Sequence, residues 1–232
     1  MTELPPYTVR ISARAKRLQL KVSGYGEVVV VVPRRMDPRH GDAFVARHAA
    51  WLRETLAGIA PPGKTELLPT RIALPALDRV WDVRYESATA SCRDRLAATA
   101  ATLQVPAGSS ATQRALLQAW LSRQAKAALP PRLERLSREL GLPYAKVTVR
   151  AQKTRWGSCS ARHHISLNRN LLFLEPELVR YLFIHELCHT VHLNHSPRYW
   201  ALVATFAPDY RDRERALGHA MQQVPRWAAP GR

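Results

Sequence analysis

Apolar and polar residues alternate along the first part of the chain with a period of two, which is typical of half-buried β-strands. The alternation at Val9 and Ile11, and again over residues 18–22, predicts two strands. The turn sequence GYG (24–26) and the apolar run EVVVVVP (27–33) follow. Because a short glycine-containing turn between two such segments is a hairpin signal, we expect the second strand and the apolar run to form a β-hairpin.

One amphipathic helix is predicted after the hairpin. Asp37 and Pro38 form an N-cap and first-turn pair, and apolar residues then recur on one side of a helix over residues 44–56. The sequence APPGK (60–64) ends this region. Together with the strands that follow, these elements predict a β-rich N-terminal domain with one amphipathic helix, residues 1–108. The later strands are expected at residues 71–77, 79–86 and 101–106.

The hydrophobic pattern changes to that of a helix in the second half of the chain. Residues 110–140 are rich in alanine, leucine, glutamine and arginine at helical spacing. We expect an interruption at the Pro130–Pro131 pair and a C-cap at Gly141. Two short strands are then predicted, at residues 146–150 and 165–168.

Proline-containing signals begin two more helices near the end of the chain. Glu175 with Pro176 predicts the start of one helix, and Ser196 with Pro197 predicts the start of the next. We therefore expect residues 109–232 to form a second domain of helices and short strands. The predicted fold class of the whole chain is α+β.

Composition narrows the class of protein. No run approaches the ~18 apolar residues of a membrane span, and the first residues lack the basic and apolar segments of a signal peptide. The three cysteines, Cys92, Cys159 and Cys188, are an odd number without paired spacing, which argues against a disulfide framework. Cys188 is expected to pack as a small buried hydrophobe. These features predict a soluble cytoplasmic protein with no membrane partner.

The charge balance is strongly basic, with 35 Lys and Arg residues against 18 Asp and Glu and a net charge of +17. Such an excess attracts polyanions, so nucleic acid bound through a basic surface is a candidate partner. Against this, no block of five or six consecutive basic residues is present. The alternative is that arginine is spread over a solvated surface without a partner.

The sequence HELCH (185–189) carries the clearest chemical signal. Residues four apart on a helix point the same way one turn apart, so His185 and His189 can both reach one zinc ion at about 2.0–2.1 Å. Glu186 lies one step round the helix, where it can reach water in the site rather than the metal. Because burying these groups without a partner is unfavourable, we predict a zinc centre rather than ordinary core histidines.

Helix geometry restricts the choice of a third ligand. His192 would lie about 10.5 Å beyond His185 along a straight helix, so we expect it beside the site or on the surface. His195 lies ten residues after His185. This is the spacing of the first and third histidines in metalloproteases with the motif H-E-x-x-H-x-x-G-x-x-H, so His195 is the predicted third ligand. Asn194 is expected to end the helix in the left-handed conformation, and Glu214 is the main alternative ligand.

Three protein ligands leave a fourth position on zinc for water, as in catalytic rather than structural sites. Zinc lowers the pKa of such a water toward about 7, and Glu186 would accept its proton as general base. Hydrolysis of a polarised carbonyl or phosphoryl group is therefore the predicted reaction.

Three residues near the motif are candidate substrate contacts. RWGSCS, which begins at Arg155, predicts a tight turn with Trp156 in the core and an unusual backbone angle at Gly157. Alternatively, the strand after it forms a sheet edge on which an extended peptide lies. Arg155 could hold an anionic group of the substrate. Tyr199 could stabilise an oxyanion or pack as a core aromatic residue.

Four motifs occur in the order found in the YgjP-like metallopeptidases, relatives of the SprT and WLM zinc proteases, which this sequence resembles. They are RWGSCS (155–160), ISLN (165–168), HELCH (185–189) and NHSPRYW (194–200). The first half is similar as well, at SARAKRLQLKV (12–22), VVVVVP (28–33) and FVARHAAWL (44–52).

The resemblance extends over about residues 8–210. It implies a zincin-like core, in which the motif helix packs on a small mixed or antiparallel sheet. It also implies one zinc ion per chain on His185, His189 and His195, with Glu186 as catalytic base.

The predicted function is zinc-dependent hydrolysis of a peptide or protein. One alternative is hydrolysis of a phosphate anhydride, such as a nucleoside triphosphate, at the same site. Another is a basic nucleic-acid-binding protein with structural zinc, but Glu186 argues against it because a structural site does not use a base. The sequence does not separate peptide from nucleotide, since both reactions use the same metal residues.

Overall fold

The computed structural model describes residues 5–22, 26–57, 68–86 and 97–229. The chain divides into two compact units, Met1–Thr65 and Glu66–Arg232. The boundary predicted between residues 108 and 109 lies inside the second unit, because side chains before and after it pack together. The rings of Trp81 and Trp120, for example, meet edge to face with their centroids 5.0 Å apart.

The first unit contains a three-stranded sheet and two helices. Strand β3 lies between the other two strands, antiparallel to β2 and parallel to β1. The predicted hairpin of β2 and β3 is confirmed, whereas the parallel pairing of β1 was not predicted. Turn residues 23–25 and the APPGK sequence (60–64) lie outside the described residues. The bounds are Thr8–Ser12 for β1, Gln19–Val22 for β2, Val28–Pro33 for β3, His40–Arg47 for α1 and Ala49–Ala57 for α2.

Two short helices stand where the sequence predicted one. The carboxylate of Asp37 accepts a hydrogen bond from the Arg39 N–H at 2.9 Å, which forms a turn, and α1 begins only at His40. His48 separates the helices, and its Nδ1 lies 2.8 Å from the carbonyl oxygen of Phe44. The core of this unit consists of Val28, Val30, Val32, Val45 and Leu52.

The second unit begins with a four-stranded sheet in the order β4-β5-β7-β6, in which β5 and β7 run parallel. Three of its strands correspond to the three predicted segments, and β6 was not predicted. Cys92 lies outside the described residues, between β5 and β6. The bounds are Arg71–Leu74 for β4, Arg79–Tyr85 for β5, Ala97–Ala98 for β6 and Thr102–Val105 for β7.

A long helix, α3, spans Ser110–Leu140 without a break. The predicted interruption at the Pro130–Pro131 pair is therefore wrong. Leu129 and Leu133, on either side of the pair, are fully buried. Burial of one continuous apolar stripe offsets the backbone hydrogen bonds that the prolines cannot make. Gly141 ends the helix at φ 66°, as predicted.

A three-stranded mixed sheet precedes the motif helix. Its order is β8-β10-β9, with β10 parallel to β8 and antiparallel to β9. Since β10 contains ISLN and is central, the expectation that this strand forms the edge is wrong. The edge beside it is β9, a strand too short for its hydrophobic period to be recognised. The bounds are Lys146–Arg150 for β8, Gly157–Cys159 for β9 and His164–Asn168 for β10.

Three α-helices follow this sheet, and the predicted starts of the first two at Pro176 and Pro197 are confirmed. Helix α4 contacts β9, α5 and α6, so it lies at the centre of this half of the unit. The α+β fold class is confirmed. None of the described helices combines the length and apolar character needed to cross a membrane. The bounds are Pro176–Cys188 for α4, Pro197–Phe206 for α5 and Tyr210–Ala220 for α6.

Candidate metal centre

Helix α4 carries the first two histidines of the candidate centre. His185 lies in its last turn, and His189 is its C-cap with a backbone still in the α-helical region (φ −69°, ψ −13°). The two imidazoles therefore emerge one turn apart, as their spacing predicts. Burial of apolar residues away from the histidine face holds the helix in place; these include Val179, Phe183 and Leu187.

The three predicted ligands converge through the same ring nitrogen. The Nε2 atom of His195 lies 3.2 Å from Nε2 of His189 and 3.3 Å from Nε2 of His185. Zinc with tetrahedral nitrogen ligands at 2.0–2.1 Å separates those nitrogens by about 3.3–3.4 Å. The Nε2 atom of His195 thus has the spacing from the other two that a zinc ion requires, and the three histidines form a group that could hold a metal ion, with ligand atoms all within 4.8 Å of one another.

The chain reverses direction between His189 and His195. The carbonyl oxygen of Cys188 accepts a hydrogen bond from the His192 N–H at 3.0 Å, which closes the end of α4. Ser196 then caps α5, with its hydroxyl oxygen accepting from a backbone N–H in the first turn. His195 consequently lies in the connection between the two helices and turns back toward α4.

Asn194 does not adopt the left-handed conformation that was predicted for it. Among the described non-glycine residues, a positive φ occurs at Asp78 and His163. The chain leaves α4 through hydrogen-bonded turns at residues 190–192 instead. The return of the third histidine therefore does not depend on a special backbone angle.

The second ring nitrogen of two of the histidines faces an acceptor. Nδ1 of His189 lies 3.0 Å from the carbonyl oxygen of His192. Nδ1 of His185 lies 3.1 Å from Oε1 of Glu214, although the N–H is poorly aligned with that oxygen. The hydroxyl of Tyr181 donates to the same oxygen at 2.7 Å. An acceptor beside Nδ1 favours a proton on that nitrogen, and this leaves the Nε2 lone pair of His185 and of His189 for a metal.

Glu214 was the alternative third ligand, and the structure gives it a different contact. It approaches His185 from the ring nitrogen that faces away from the three converging Nε2 atoms. Burial raises the pKa of Glu214, but the contacts with His185 and Tyr181 outweigh it and leave the pKa below its ordinary value. Glu214 is therefore a carboxylate that can orient a ligand.

Aromatic rings support the other two histidines. Tyr199 stacks on His189, with centroids 4.4 Å apart and an interplanar angle of 21°. Trp200 stacks on His195 at 5.4 Å and 22°, and Tyr210 stacks on Trp200 in turn at 5.2 Å and 19°. Trp200 and Tyr210 were not predicted as site residues, because nothing in their spacing indicates which side of α5 and α6 faces the three histidines.

Burial keeps two of the imidazoles neutral. It lowers the pKa of His189 to about 4, and it also lowers the pKa of His195 below its ordinary value. Near neutral pH both rings therefore hold an unprotonated nitrogen, as a metal ligand must.

Glu186 is buried beside the histidines, with 2% of its surface exposed. Burial raises its pKa to about 7, against the opposing effect of the charges of His185 and Arg155. Its Oε2 atom has no hydrogen-bond partner among the described residues. A carboxyl group with such a pKa can both accept and donate a proton near neutral pH.

Gly157 in β9 lies directly against this carboxylate. A Cβ atom added at Gly157 would be 2.4 Å from Oε1 of Glu186 and 2.8 Å from its Cδ. The unusual backbone angle predicted for Gly157 is not observed, since the described glycines with positive φ are Gly26 and Gly141. The glycine is instead needed for close approach of a strand to the glutamate.

Arg155 and Trp156 precede this strand and have different surroundings. Arg155 is exposed, its charge lowers the pKa of Glu186, and its carbonyl oxygen accepts from Nδ2 of the buried Asn168 at 2.8 Å. Trp156 is buried, and its indole N–H donates to the carbonyl oxygen of Leu217 at 3.1 Å. These contacts favour packing as the role of Trp156 and leave the Arg155 guanidinium available to a substrate.

The remaining candidates near the site are engaged in packing. Tyr199 is fully buried, and its hydroxyl donates to the carbonyl oxygen of His185 at 3.1 Å, which favours the core interpretation over an oxyanion contact. Cys188 is fully buried, as predicted. Cys159 is half-buried and lies outside the three-histidine group, and burial together with Glu186 raises the pKa of its thiol to about 11.

A helix that carries two histidines and a buried glutamate, with a third histidine returning beside them, is an arrangement of metal-dependent peptidases. The family model of the YgjP-like metallopeptidase domain matches residues 16–220. The chain therefore belongs to the YgjP-like metallopeptidase family, and the resemblance noted in the sequence is confirmed.

Comparison with solved structures finds a match to the crystal structure of the metallopeptidase zymogen of Pyrococcus abyssi abylysin. The two are 27% identical with a TM-score of 0.37, and the match covers 40% of this chain and 95% of that chain. None of the curated proteins matches the sequence significantly.

Proposed function

We propose that this chain is a zinc-dependent peptidase that holds one zinc ion through His185, His189 and His195. The observation that carries the proposal is the convergence of their Nε2 atoms, with that of His195 lying 3.2 Å and 3.3 Å from the other two. The buried carboxylate of Glu186 belongs to the residue that follows His185 in helix α4. Membership of the metallopeptidase family supports the same class of reaction.

Three imidazole nitrogens are a donor set that suits zinc. A bound zinc ion would polarise the substrate carbonyl and lower the pKa of water in the site toward about 7. Glu186 would accept the proton of the attacking water and return it to the leaving amine nitrogen. Its pKa of about 7 favours both transfers, because both protonation states are populated near neutral pH.

Glu214 and Tyr181 would hold His185 in its orientation. The carboxylate would stabilise a proton on Nδ1 of His185, and the Tyr181 hydroxyl would fix the carboxylate by donating to the same oxygen. A carboxylate behind a histidine ligand also raises the basicity of the ligand nitrogen. This contact explains why an acidic residue lies close to the centre without being a ligand.

The substrate would lie along β9 as an extended peptide. Within the described sheet, β9 pairs on one side with β10, so its other edge is open to strand addition. The Gly157 backbone in β9 contacts Glu186, which would put a scissile bond near the base. Arg155, just before the strand, would bind a carboxylate of the peptide. Cytoplasmic localisation stays a prediction from the sequence.

The test is a screen of the zinc-loaded chain against peptides, unfolded protein and nucleoside triphosphates, with Glu186→Gln as control. We expect cleavage of peptide or unfolded protein that requires zinc and is lost in Glu186→Gln. Absence of peptide cleavage together with Glu186-dependent release of phosphate from a nucleotide would overturn the proposal in favour of phosphate-anhydride hydrolysis.

A further inference from the structure

A cleft in the first unit opens where two parallel strands end. Because β1 and β3 run parallel, the segments that follow them begin at the same edge of the sheet. The N–H of Arg34 donates to the carbonyl oxygen of Ser12 at 3.1 Å, which ties the two segments together. They enclose a cleft of about 720 Å³, called here the basic cleft, lined by Ala13, Ala15, Lys16, Pro33, Arg34 and Arg35.

All the charged side chains that line the basic cleft are positive. Lys16, Arg34 and Arg35 are all exposed, and no acidic side chain is among the lining residues. Within the described part of the chain, none of the ion pairs involves these three cations. Asp37, two residues after Arg35, is not among the lining residues. Among the described residues, the cleft therefore presents three cations that form no ion pair.

The rest of the lining restricts the kind of ligand. Ala13, Ala15 and Pro33 contribute neither side-chain hydrogen-bonding groups nor aromatic rings, so the cleft lacks an aromatic platform on which bases could stack. Separate cations on two segments suit a ligand that carries repeated negative charges. Two further exposed arginines, Arg14 and Arg17, extend the same segment.

We propose that the basic cleft binds the phosphodiester backbone of nucleic acid, without preference for base sequence. Each cation that neutralises a phosphate releases condensed counterions, which makes such binding favourable at low salt and sensitive to added salt. The net charge of +17 adds a long-range field that steers a polyanion toward the protein. The proposal involves no residue of the metal centre, so it does not depend on the peptidase activity.

The test measures fluorescence anisotropy of a labelled mixed-sequence DNA strand, and of the matching RNA strand, with the full chain over a range of salt concentrations. We expect binding at low salt that weakens steeply as salt rises. In the K16A/R34A/R35A variant, affinity at low salt should fall roughly tenfold or more, and the salt slope should decrease by about 2–3.

A matched variant separates the cleft from general charge. K21A/R47A/R53A removes three exposed cations from the same unit but none from the basic cleft, so its net charge equals that of the cleft variant. We expect it to lose much less affinity. Equal losses in the two variants, or no binding at low salt, would overturn the proposal. If the triple cleft variant does not fold, each single variant should show part of the same loss.

Two competitors identify the source of the phosphate. Unlabelled DNA of unrelated sequence should displace the labelled strand as well as the original strand does, whereas inorganic phosphate at the same phosphate concentration should not. Tighter binding to vesicles containing phosphatidylserine than to nucleic acid, with the same dependence on Lys16, Arg34 and Arg35, would assign the cleft to a membrane surface and overturn the proposal.

Discussion

Gly157 and Glu186 are in contact across two elements, since a Cβ atom added at Gly157 would lie 2.4 Å from Oε1 of the glutamate. The contact joins the edge strand β9 to the helix that carries the histidines. The glutamate is the flexible partner, because its carboxylate can rotate while the backbone of the strand cannot. A side chain at residue 157 would therefore displace the proposed base rather than the sheet.

The first prediction concerns Gly157→Ala. We expect this variant to fold and to bind zinc like the parent, because the three atoms nearest to an added Cβ all belong to Glu186. A displaced base should lower kcat by about 10–100-fold, part of the contribution that general bases make. Zinc content, thermal stability and kcat on the peptide substrate are the measurements.

Gly218→Ala is the matched control for this variant. Gly218 lies in α6, and a Cβ atom added there has nothing within 4 Å. Since alanine is a better helix former than glycine by about 1 kcal/mol, this variant should be fully active and no less stable. Parental kcat in Gly157→Ala, or an equal loss in both variants, would contradict the positioning role.

The second prediction concerns the activity of Glu186→Gln. The glutamate serves the proton transfer and not the metal, so the variant should keep its zinc while kcat falls by about 10²–10⁴-fold. Zinc analysis and turnover of the peptide substrate measure the two effects on one sample. Parental turnover in a zinc-loaded Glu186→Gln would show that another group is the base.

The third prediction concerns the stability of the metal-free protein. The pKa of Glu186 in the folded chain is about 7, above its ordinary value of 4.5, mainly because the group is buried. The folded state therefore binds this proton more tightly than the unfolded state. The resulting stability is fully present below pH 4.5 and is lost as pH rises through 7.

Glutamine cannot ionise, so Glu186→Gln should not show this loss. Between about pH 5 and pH 8, we expect the free energy of unfolding of the parent to fall further than that of the variant, by about 2–3 kcal/mol. Urea unfolding of both metal-free proteins at the two pH values measures the difference. The same pH dependence in parent and variant would mean that Glu186 titrates normally.

The parts of the site that the sequence predicts are those set by local geometry. His185 and His189 follow from the helical period, and His195 follows from its position just before the cap at Ser196. By contrast, the contact of Glu214 with His185 joins residues on two helices, and no periodic pattern reports it. The approach of Gly157 to the motif helix was missed for the same reason.

In the fold as well, local features were predicted and contacts between distant segments were not. Hairpin β2–β3 joins neighbours in the chain and was predicted, whereas the parallel pairing of β1 with β3 depends on tertiary packing. The Pro130–Pro131 pair misled the prediction because local propensity favours a break there. Burial of the leucines of α3 on both sides of the pair keeps the helix continuous.

The last prediction is that His195 is the third ligand and that His192 and Glu214 are not. His195→Ala removes one of three converging Nε2 atoms, so the variant should lose most of its zinc affinity. His192→Ala should bind zinc nearly like the parent, because the contact of His192 with His189 is made by its backbone carbonyl. Glu214→Gln should weaken binding by about 10–100-fold, since it loses a carboxylate behind His185.

Zinc affinity measured by competition with a chelator should therefore rank the variants. His192→Ala should lie closest to the parent, Glu214→Gln below it, and His195→Ala lowest. Thermal melting with and without zinc gives a second readout, because a ligand that binds the folded state raises the melting temperature more when it binds more tightly. The parent should contain one zinc per chain by elemental analysis. Parental affinity in His195→Ala, with loss in Glu214→Gln, would instead make Glu214 the third ligand and require His185 to bind through its other nitrogen.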